Sequence, residues 1–487
     1  MLSKCKQLFD SRNTNELSYI HWKSNQHLME GLDGDTDLDV LLSTIDKESG
    51  CRILKKIGFV QFKSQFGSRY PNVEDWIGMD EVEGKLIHLH LHYALMTGHK
   101  GMKEYQLPWL EDSLQTRVRD VETGVYIMNP NLELVSLYSR LILKSSNSCL
   151  KAAKKGSYKI DKHFLVEIEY IKKRVEWDKI IEIARRYYGN NSDEFVVIIK
   201  SEVLSPEQFL RLYSIVTSTM RRYSRYHGLS LAFRRIFYSV VLPLRLKISR
   251  RSRYNIITHK VANPKRGLTI AFVGQDGSGK STVTKSIEKW LTWKIEAKCF
   301  YLGSGEVYYL PWQKRVLKRF NQGNTSFHKL IRAWLLLSYY LASAKYVLRT
   351  IRNANKYASR GGIALFDRYP QTVFPGINDG PKIKSRLLDR IPSNLRWVAL
   401  AYARKEEKLL NQAVSTAPSH VFKLVLSAEE SIRRKPTEDQ NAIIRKHEIV
   451  MALKFPLSQV LDVDAEQPYK SELLKIKNTI WQAIAEL

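Results

Sequence analysis

A strand-like run, a glycine-rich loop and a helix-forming segment follow one another between residues 268 and 291, and this succession constrains the fold more than any other feature. Residues 268–273 read LTIAFV, and residues 274–281 read GQDGSGKS, which has the form G-x-x-x-x-G-K-S. Glycines let the backbone wrap closely around a polyphosphate, and the following helix offers free N–H groups and the positive end of its dipole. The pattern predicts a phosphate-binding loop.

The residue types within this loop assign individual roles. Lys280 is expected to reach the β- and γ-phosphates of ATP, and the Ser281 hydroxyl is expected to hold Mg²⁺. ATP and Mg²⁺ are therefore the predicted cofactors. The predicted nucleotide-binding residues are Gly274, Asp276, Gly277, Ser278, Gly279, Lys280, Ser281 and Thr282.

The overall composition is that of a multidomain protein in a reducing compartment. The length of 487 residues allows two to four domains with full hydrophobic cores. The four cysteines are scattered without a C-x-x-C pair, and the first residues show no basic-then-apolar leader, which predicts a cytoplasmic location. The uncharged run 333–344 is too short to span a bilayer and predicts a buried helix.

Positive charge is concentrated in one part of the chain. The formal net charge is +29, and residues 208–275 contain fourteen Lys or Arg and no Asp or Glu. Such a stretch predicts an anionic partner, which is nucleic acid, acidic lipid or the phosphates of a nucleotide, and the lipid would place the protein at the periphery of a membrane. The alternative is a solvated helical face. Within the stretch, residues 250–253 read RRSR and predict a linker.

The second half of the chain alternates short apolar runs with helical segments. The strand candidates are residues 268–273, 298–302, 362–366, 420–426 and 458–463. This alternation is typical of a doubly wound α/β fold, in which helices cover both faces of a five-stranded parallel sheet. Ligands bind such sheets at the carboxyl ends of the strands.

Two further motifs fall after strands of this predicted sheet. The third strand is followed by Asp367, Arg368 and Tyr369, where the carboxylate is suited to Mg²⁺ or an acceptor and the guanidinium to an acceptor phosphate. After the fourth strand, a predicted helix carries Arg433 and Arg434, which a closing lid would bring over transferring phosphates. Lys280, Asp367, Arg368, Arg433 and Arg434 are the predicted catalytic residues.

Together the loop, the D-R-Y motif and the arginine-rich lid resemble thymidylate kinase over residues 266–487. The resemblance implies that Asp276 touches the acceptor sugar, Arg368 the acceptor phosphate, and Arg433 or Arg434 the donor phosphates. Two positions depart from the family. Val273 stands where a Glu usually precedes the loop, and Lys345 is the nearest equivalent of an Arg that helps to bind thymine.

The first half of the chain contains a second candidate site. Asp37 and Asp39 are two residues apart in a strand-like segment, so their carboxylates share one face about 7 Å apart. Paired carboxylates at this spacing suit one or two Mg²⁺ ions. Residues 85–93 form another predicted strand, which places His88, His90 and His92 on one face. An ion could use only an adjacent pair of these histidines, and a metal-free polar sheet face is the alternative.

The segment with Ser24, Asp37 and Asp39 resembles the nucleotidyltransferase fold related to DNA polymerase β, in which a small-residue turn precedes a D-x-D strand. Lys23 stands where that family usually has Gly, and the third carboxylate of the family is not evident. The resemblance implies an α+β domain.

These observations predict three regions and three functions. The regions are a nucleotidyltransferase-like domain over 1–128, a basic helical region and linker over 129–262, and a thymidylate kinase-like domain over 263–487.

The leading hypothesis for the function is an ATP-dependent phosphotransferase that acts on a nucleotide or another phosphorylated small molecule. The first alternative is a metal-dependent nucleotidyltransferase whose loop domain is an ATP-binding regulator. A kinase-like half joined to a nucleotidyltransferase-like half resembles proteins of bacterial surface-polysaccharide biosynthesis. The second is a basic protein that binds nucleic acid or a membrane surface. A homodimer is expected.

Overall fold

The structure is a computed structural model, and it describes the whole chain except residues 11–16, 65–68, 100, 245–246, 248–256, 304–325, 376–378, 392 and 438. The chain divides into two compact units, Met1–Tyr254 and Asn255–Leu487. The predicted linker at 250–253 lies outside the described residues. The boundaries predicted after residues 128 and 262 stay a prediction.

The first unit begins with an α+β part. Its strands are β1 Tyr19–His21, β2 Leu38–Leu42, β3 Val60–Phe62, β4 Val73–Met79, β5 Leu86–His92, β6 Leu95–Thr97, β7 Tyr105–Leu107, β8 Val118–Arg119 and β9 Tyr126–Ile127. Its helices are α1 Ser3–Phe9, α2 Leu28–Leu32, α3 Lys47–Lys56 and α4 Leu110–Gln115. A short 3₁₀ helix covers Asn25–His27.

Seven of these strands form a mixed sheet in the order β3-β4-β5-β2-β1-β9-β8, and β6 pairs with β7. The strands β2 and β5 run parallel, and their register sets Asp39 beside His90. The strands β4 and β5 run antiparallel, and there Asp75 lies opposite His90. Because side chains alternate along a strand, this register gathers one set of acidic and histidine side chains on a single face of the sheet.

The rest of the first unit is helical. The helices are α5 Pro130–Lys144, α6 Asn147–Lys154, α7 Lys162–Lys172, α8 Trp177–Tyr188, α9 Ser192–Lys200, α10 Pro206–Met220 and α11 Gly228–Ile236, and a π-helical turn follows at Phe237–Val241. The apolar run 195–199 belongs to α9. At the start of α10 the Ser205 side chain accepts a hydrogen bond from Gln208 N at 3.1 Å, which satisfies an otherwise unpaired helix N–H.

The second unit is an α/β domain. Its strands are β10 Leu268–Gly274, β11 Ala297–Tyr301, β12 Ile363–Asp367, β13 His420–Val425 and β14 Gln459–Asp464. Its helices are α12 Lys280–Thr292, α13 Ser326–Ala358, α14 Ile383–Arg386, α15 Arg396–Val414, α16 Ala428–Arg434, α17 Gln440–Ala452 and α18 Tyr469–Ala485.

The five strands of the second unit form one parallel sheet in the order β11-β12-β10-β13-β14. Each predicted strand is present with its ends shifted by at most one residue. The central strand β10 is almost fully buried, because β12 and β13 flank it and Ile270, Ala271 and Phe272 have no exposed surface. This order places the carboxyl ends of β10 and β12 side by side, so the phosphate loop and the D-R-Y segment are neighbours.

The uncharged run 333–344 lies inside the long helix α13, as the sequence predicts. Ala333 and Leu337 are buried, while Trp334 is 36% exposed. None of the helices in the described part of the chain is long and apolar enough to cross a membrane.

Candidate functional site

The loop after β10 has the backbone that a phosphate-binding loop requires. Gly277 and Gly279 have φ values of 90° and 83°, a region that residues with a side chain rarely adopt. A Cβ atom on Gly274 would lie 2.5 Å from the Leu424 carbonyl oxygen of β13, so only glycine fits there. Gly279 is also the residue from which α12 starts. The positive end of the α12 dipole therefore faces the loop.

Lys280 folds back across this loop. Its Nζ donates a hydrogen bond of 2.6 Å to the Gln275 carbonyl oxygen, and the residue is only 7% exposed. Burial, and to a smaller extent the nearby guanidinium of Arg368, lower the pKa of Lys280 to about 8 against the opposing effect of Asp276 and Asp367. An anionic ligand in the loop would stabilise the charged ammonium.

Ser281 and Asp367 connect the loop to the end of β12. The Ser281 Oγ donates a hydrogen bond of 2.7 Å to Asp367 Oδ2. Asp367 is 6% exposed, and its other oxygen, Oδ1, is buried without a hydrogen-bond partner among the described residues. Ser278 Oγ is likewise buried without a partner there. The Ser281 hydroxyl and the two oxygens of the Asp367 carboxylate are oxygen donors of the kind that bind Mg²⁺.

Arg368 adopts a left-handed backbone conformation with φ of 75°, and its backbone N–H donates to the Phe272 carbonyl oxygen at 3.1 Å. This turn directs the guanidinium toward two carboxylates, with 3.5 Å to Asp276 Oδ1 and 3.7 Å to Asp379 Oδ2. Both separations exceed those of a well-formed charge-assisted hydrogen bond. Burial raises the pKa of Asp379, although the Arg368 charge opposes the rise.

Asp276, the loop carboxylate, has a second cationic partner in Lys446 of α17. The Lys446 Nζ lies 3.0 Å from Asp276 Oδ2. Burial would raise the pKa of Asp276, but the hydrogen bond and charge of Lys446 lower it, so the carboxylate is ionised. The sequence patterns did not identify Lys446, because α17 follows the lid helix and carries no recognised motif.

The two predicted lid arginines lie in the last turn of α16 and have different surroundings. Arg434 donates to the Gly277 carbonyl oxygen at 3.2 Å and to the Ala465 carbonyl oxygen at 3.1 Å. Both arginines pair with Glu430, Arg433 at 2.6 Å and Arg434 at 2.7 Å, and the Arg433 side chain is 78% exposed. Arg434 therefore contacts the phosphate loop, whereas Arg433 points to solvent. Thr282, the last predicted loop residue, is exposed on α12.

A cleft lies beside the D-R-Y turn, between α13 and α15. Its lining residues are Leu302, Tyr340, Ser343, Ala344, Val347, Pro370, Asp379, Gly380, Lys382, Glu406 and Leu410. Lys345 is exposed and is not among them. Val273 is buried in the hydrophobic core of the sheet. Neither position that departs from thymidylate kinase therefore lines this cleft.

The first unit gathers the other predicted site residues on the face of its mixed sheet. His88 Nδ1 lies 2.8 Å from Asp37 Oδ1, and His92 Nε2 lies 3.0 Å from Asp39 Oδ1. His90 Nδ1 is 3.3 Å from Asp39 Oδ1. Within the described part of the chain two sets of possible metal ligands result, and both contain His90. They are Asp37, His88 and His90, and Asp39, His90 and His92.

Asp75 of β4 is a third carboxylate that the sequence reasoning missed. Its Oδ1 lies 3.1 Å from His88 Nε2 and 3.2 Å from His90 Nε2. Ser64 Oγ donates a 2.6 Å hydrogen bond to the other oxygen of Asp75. One carboxylate in a strand-like segment does not by itself indicate a site. Asp75 meets the histidines because of the register between β4 and β5, which the sequence does not show.

Lys23, which departs from the nucleotidyltransferase pattern, reaches the same cluster. Its Nζ lies 2.9 Å from Asp39 Oδ1. The next residue, Ser24, has a φ of 56°, in the left-handed region. Burial opposes ionisation of Asp39, but Lys23 and the hydrogen bonds of His90 and His92 hold the pKa of this carboxyl well below its usual range.

The three histidines differ in their pKa. Burial lowers the pKa of His92 to about 4 and also lowers the pKa of His88. Burial would likewise lower the pKa of His90, but hydrogen bonds to Asp39 and Asp75 raise it. His90 lies between two carboxylates, with Asp39 at its Nδ1 and Asp75 at its Nε2.

The basic stretch is partly described and contains an apolar surface. On α11 and the turn after it, Leu229, Phe233, Ile236 and Val240 are 79%, 72%, 57% and 58% exposed. Their spacing of four, three and four residues places them on one helical face. The opposite side includes Arg235, whose Nη2 lies 3.6 Å from Glu104 Oε1. The anionic partner of this stretch stays a prediction.

The chain is similar to two Escherichia coli K12 proteins that are described as uncharacterized ATP-binding proteins. It is 28% identical to YghR over 218 residues, 42% of this chain and 83% of YghR. It is 26% identical to YghS over 215 residues, 41% of this chain and 86% of YghS. Deoxyadenosine kinase from M. mycoides, solved with bound dCTP or dATP, aligns over 44% of this chain and 98% of that kinase, at 16% and 18% identity and a TM-score of 0.27. No protein-family model matches the chain.

Proposed function

We propose that the second unit is an ATP- and Mg²⁺-dependent phosphotransferase of the P-loop nucleotide kinase type, acting on a phosphorylated small molecule. The observation that carries this proposal is the convergence of Lys280, Ser281, Asp367 and Arg368 at the adjoining carboxyl ends of β10 and β12. The similarity to proteins described as ATP-binding supports the donor.

The donor phosphates would lie in the loop formed by residues 274–281. In the structure Lys280 donates to the Gln275 carbonyl oxygen, a neutral acceptor. A phosphate oxygen is a stronger acceptor because it is charged, so the ammonium would turn to it when ATP binds. Arg434 lies above Gly277 and would add a second cation on the opposite side of the phosphates. These groups are positioned before the reaction and neutralise charge as it develops.

Ser281 and Asp367 would hold Mg²⁺, since their oxygens meet at 2.7 Å and Asp367 Oδ1 has no other partner among the described residues. When bound, the ion neutralises charge on the donor phosphates. The hydroxyl and carboxylate are hydrogen-bonded to each other beforehand, so the loop and β12 hold this pair close together.

The acceptor would enter the cleft beside Arg368. The guanidinium lies 3.5 Å from Asp276 and 3.7 Å from Asp379, and it can exchange these long contacts for an acceptor phosphate. Asp276, ionised and held by Lys446, is placed to accept a hydrogen bond from an acceptor hydroxyl. Leu302, Tyr340 and Val347 contribute apolar surface to the lining of the cleft. These features favour a monophosphate with a hydroxylated and partly apolar body, such as a nucleoside monophosphate.

A screen with γ-labelled ATP tests this proposal. Purified full-length protein is incubated with Mg²⁺ and a panel of nucleoside monophosphates and sugar phosphates, and ADP and labelled product are measured. Lys280→Ala is expected to abolish transfer, whereas Lys285→Ala, an exposed lysine on α12, is the matched control and should retain it. The proposal fails if no acceptor yields ADP, or if both variants behave alike.

A second candidate function belongs to the first unit. The three carboxylates Asp37, Asp39 and Asp75 lie around His88 and His90, which favours metal-dependent nucleotidyl transfer with the second unit as an ATP-binding regulator. Label from α-labelled nucleotide should then move to an acceptor, and Asp37→Asn should stop the transfer. Transfer that continues unchanged in this variant excludes this candidate.

A further inference from the structure

We propose that the first unit binds one divalent transition-metal ion with Asp39, His90 and His92 as its protein ligands, and with Asp75 as the carboxylate that orients His90. This inference is independent of the phosphotransferase proposed for the second unit, but it concerns the same cluster as the second candidate function, to which it assigns one ion and its ligand atoms. Its tests measure binding rather than transfer.

The sheet brings the three ligands together by its register. Residues two apart in a strand project to the same face, so His90 and His92 share one face of β5. In the neighbouring parallel strand, Asp39 is the register partner of His90. The ligands are therefore fixed by the backbone of two central strands, and little side-chain freedom is lost when an ion binds.

The distances agree with ligation of a small ion. Ligand atoms about 2.1 Å from a tetrahedral ion lie about 3.4 Å from one another. Asp39 Oδ1 is 3.0 Å from His92 Nε2 and 3.3 Å from His90 Nδ1. The three ligand atoms all lie within 4.8 Å of one another. The ligand atoms would have to move apart by only a few tenths of an ångström for the ion to bind between them.

The second ring nitrogen of His90 supports the same assignment. If Nδ1 binds the ion, Nε2 carries the proton and donates it to Asp75 Oδ1, which lies 3.2 Å away. Ser64 in turn fixes Asp75 through a 2.6 Å hydrogen bond. A carboxylate behind a ligating histidine is the usual outer-shell arrangement, because it sets the tautomer and makes the imidazole a stronger ligand.

The ligand types select the class of metal. Two imidazoles and one carboxylate suit Zn²⁺, Co²⁺, Mn²⁺ or Fe²⁺, whereas Mg²⁺ prefers a shell of oxygen atoms and water.

Lys23 competes with the ion. Its ammonium lies 2.9 Å from Asp39 Oδ1, the oxygen that the ion would use. The Lys23 side chain is 19% exposed, so it can move toward solvent when the ion enters. Removal of this ammonium by Lys23→Met is therefore expected to tighten metal binding several-fold.

The test is a Co²⁺ titration of full-length protein stripped with a chelator, followed by visible absorption and calorimetry. We expect one Co²⁺ per chain with the ligand-field bands of nitrogen ligation, displaced by Zn²⁺ and unaffected by millimolar Mg²⁺. His90→Ala and His92→Ala should each weaken binding at least about 100-fold, and Asp75→Asn about 10- to 100-fold. His163→Ala, whose side chain is 59% exposed on α7, is the matched control.

Three results would overturn the proposal. The first is wild-type protein without the Co²⁺ bands, which needs no variant and so does not depend on whether a variant folds. The second is binding by His90→Ala equal to that of wild type. The third is binding lost in His88→Ala but retained in His92→Ala, because this pattern assigns the ion to Asp37, His88 and His90 instead.

Discussion

The Ser281 hydroxyl donates a 2.7 Å hydrogen bond to the Asp367 carboxylate, and this bond joins the first turn of α12 to the carboxyl end of β12. The two residues are 86 positions apart in the chain, and they meet because β10 and β12 are adjacent parallel strands. The proposed phosphotransferase depends on this pair, since it supplies the oxygen donors for Mg²⁺ at the edge of the phosphate loop.

Ser281→Ala is expected to raise the Mg²⁺ concentration that gives half-maximal ADP formation, because one ion ligand is lost while Lys280 still binds the phosphates. The loss in rate should be on the order of 100-fold at low Mg²⁺, comparable to the removal of one preorganised group from an active site. A Mg²⁺ titration of ADP formation measures it. A rate that falls equally at all Mg²⁺ concentrations would contradict the assigned role of Ser281.

Arg434→Ala and Arg433→Ala form a matched pair in one helical turn. Arg434 contacts the Gly277 carbonyl oxygen, so its loss is expected to weaken ATP binding by about tenfold, the size of one charge-assisted hydrogen bond. Arg433 is largely exposed, so its loss should change binding less than about twofold. Calorimetric titration with ATP measures the affinity of each variant. Equal losses of affinity in the two variants would contradict the assignment of Arg434 as the phosphate-binding arginine.

The sequence predicted the features that depend on neighbouring residues in the chain. The loop from Gly274 to Ser281 and the five strands have local signatures, because glycine conformation and apolar runs are set within a few residues. It did not identify Asp75 or Lys446. The contact of Asp75 with His90 depends on strand register, and the contact of Lys446 with Asp276 depends on how α17 packs. Such long-range pairings follow from tertiary structure, which periodicity does not encode.

Glu133 of α5 makes the stability of the first unit depend on pH. Burial, and to a smaller extent the carboxylate of Glu167, raise the pKa of Glu133 to about 8 against the opposing hydrogen bond from Asn25. Because this pKa is higher in the folded than in the unfolded chain, the free energy of unfolding is unaffected by Glu133 ionisation below about pH 4 and falls as the pH rises toward 8. Glu133→Gln removes this loss, so its melting temperature should exceed that of wild type by more at pH 8 than at pH 5.

The control for this measurement is Glu182→Gln, an exposed carboxyl on α8. Its melting temperature should differ from that of wild type by the same small amount at both pH values. If Glu133→Gln also shows no pH dependence relative to wild type, the buried carboxyl is not neutral in the folded protein.

The exposed apolar face of α11 predicts binding to acidic lipid surfaces. Leu229, Phe233 and Ile236 would enter the interface, and the surrounding stretch supplies cations without any Asp or Glu. Sedimentation with vesicles that contain phosphatidylserine should recover the protein at low salt, and Phe233→Ser should reduce recovery. Equal recovery with purely zwitterionic vesicles, or insensitivity to salt, would contradict an electrostatic contribution.

The central claim is that the loop around Lys280 binds ATP, and calorimetric titration of the full-length protein with ATP and Mg²⁺ tests it most directly. We predict saturable binding of one ATP per chain that Lys280→Ala weakens at least about tenfold, since a buried charged contact to phosphate is lost. Lys285→Ala should bind as wild type does. Absence of ATP binding in the wild-type protein, or equal affinity in the Lys280→Ala variant, would contradict the account.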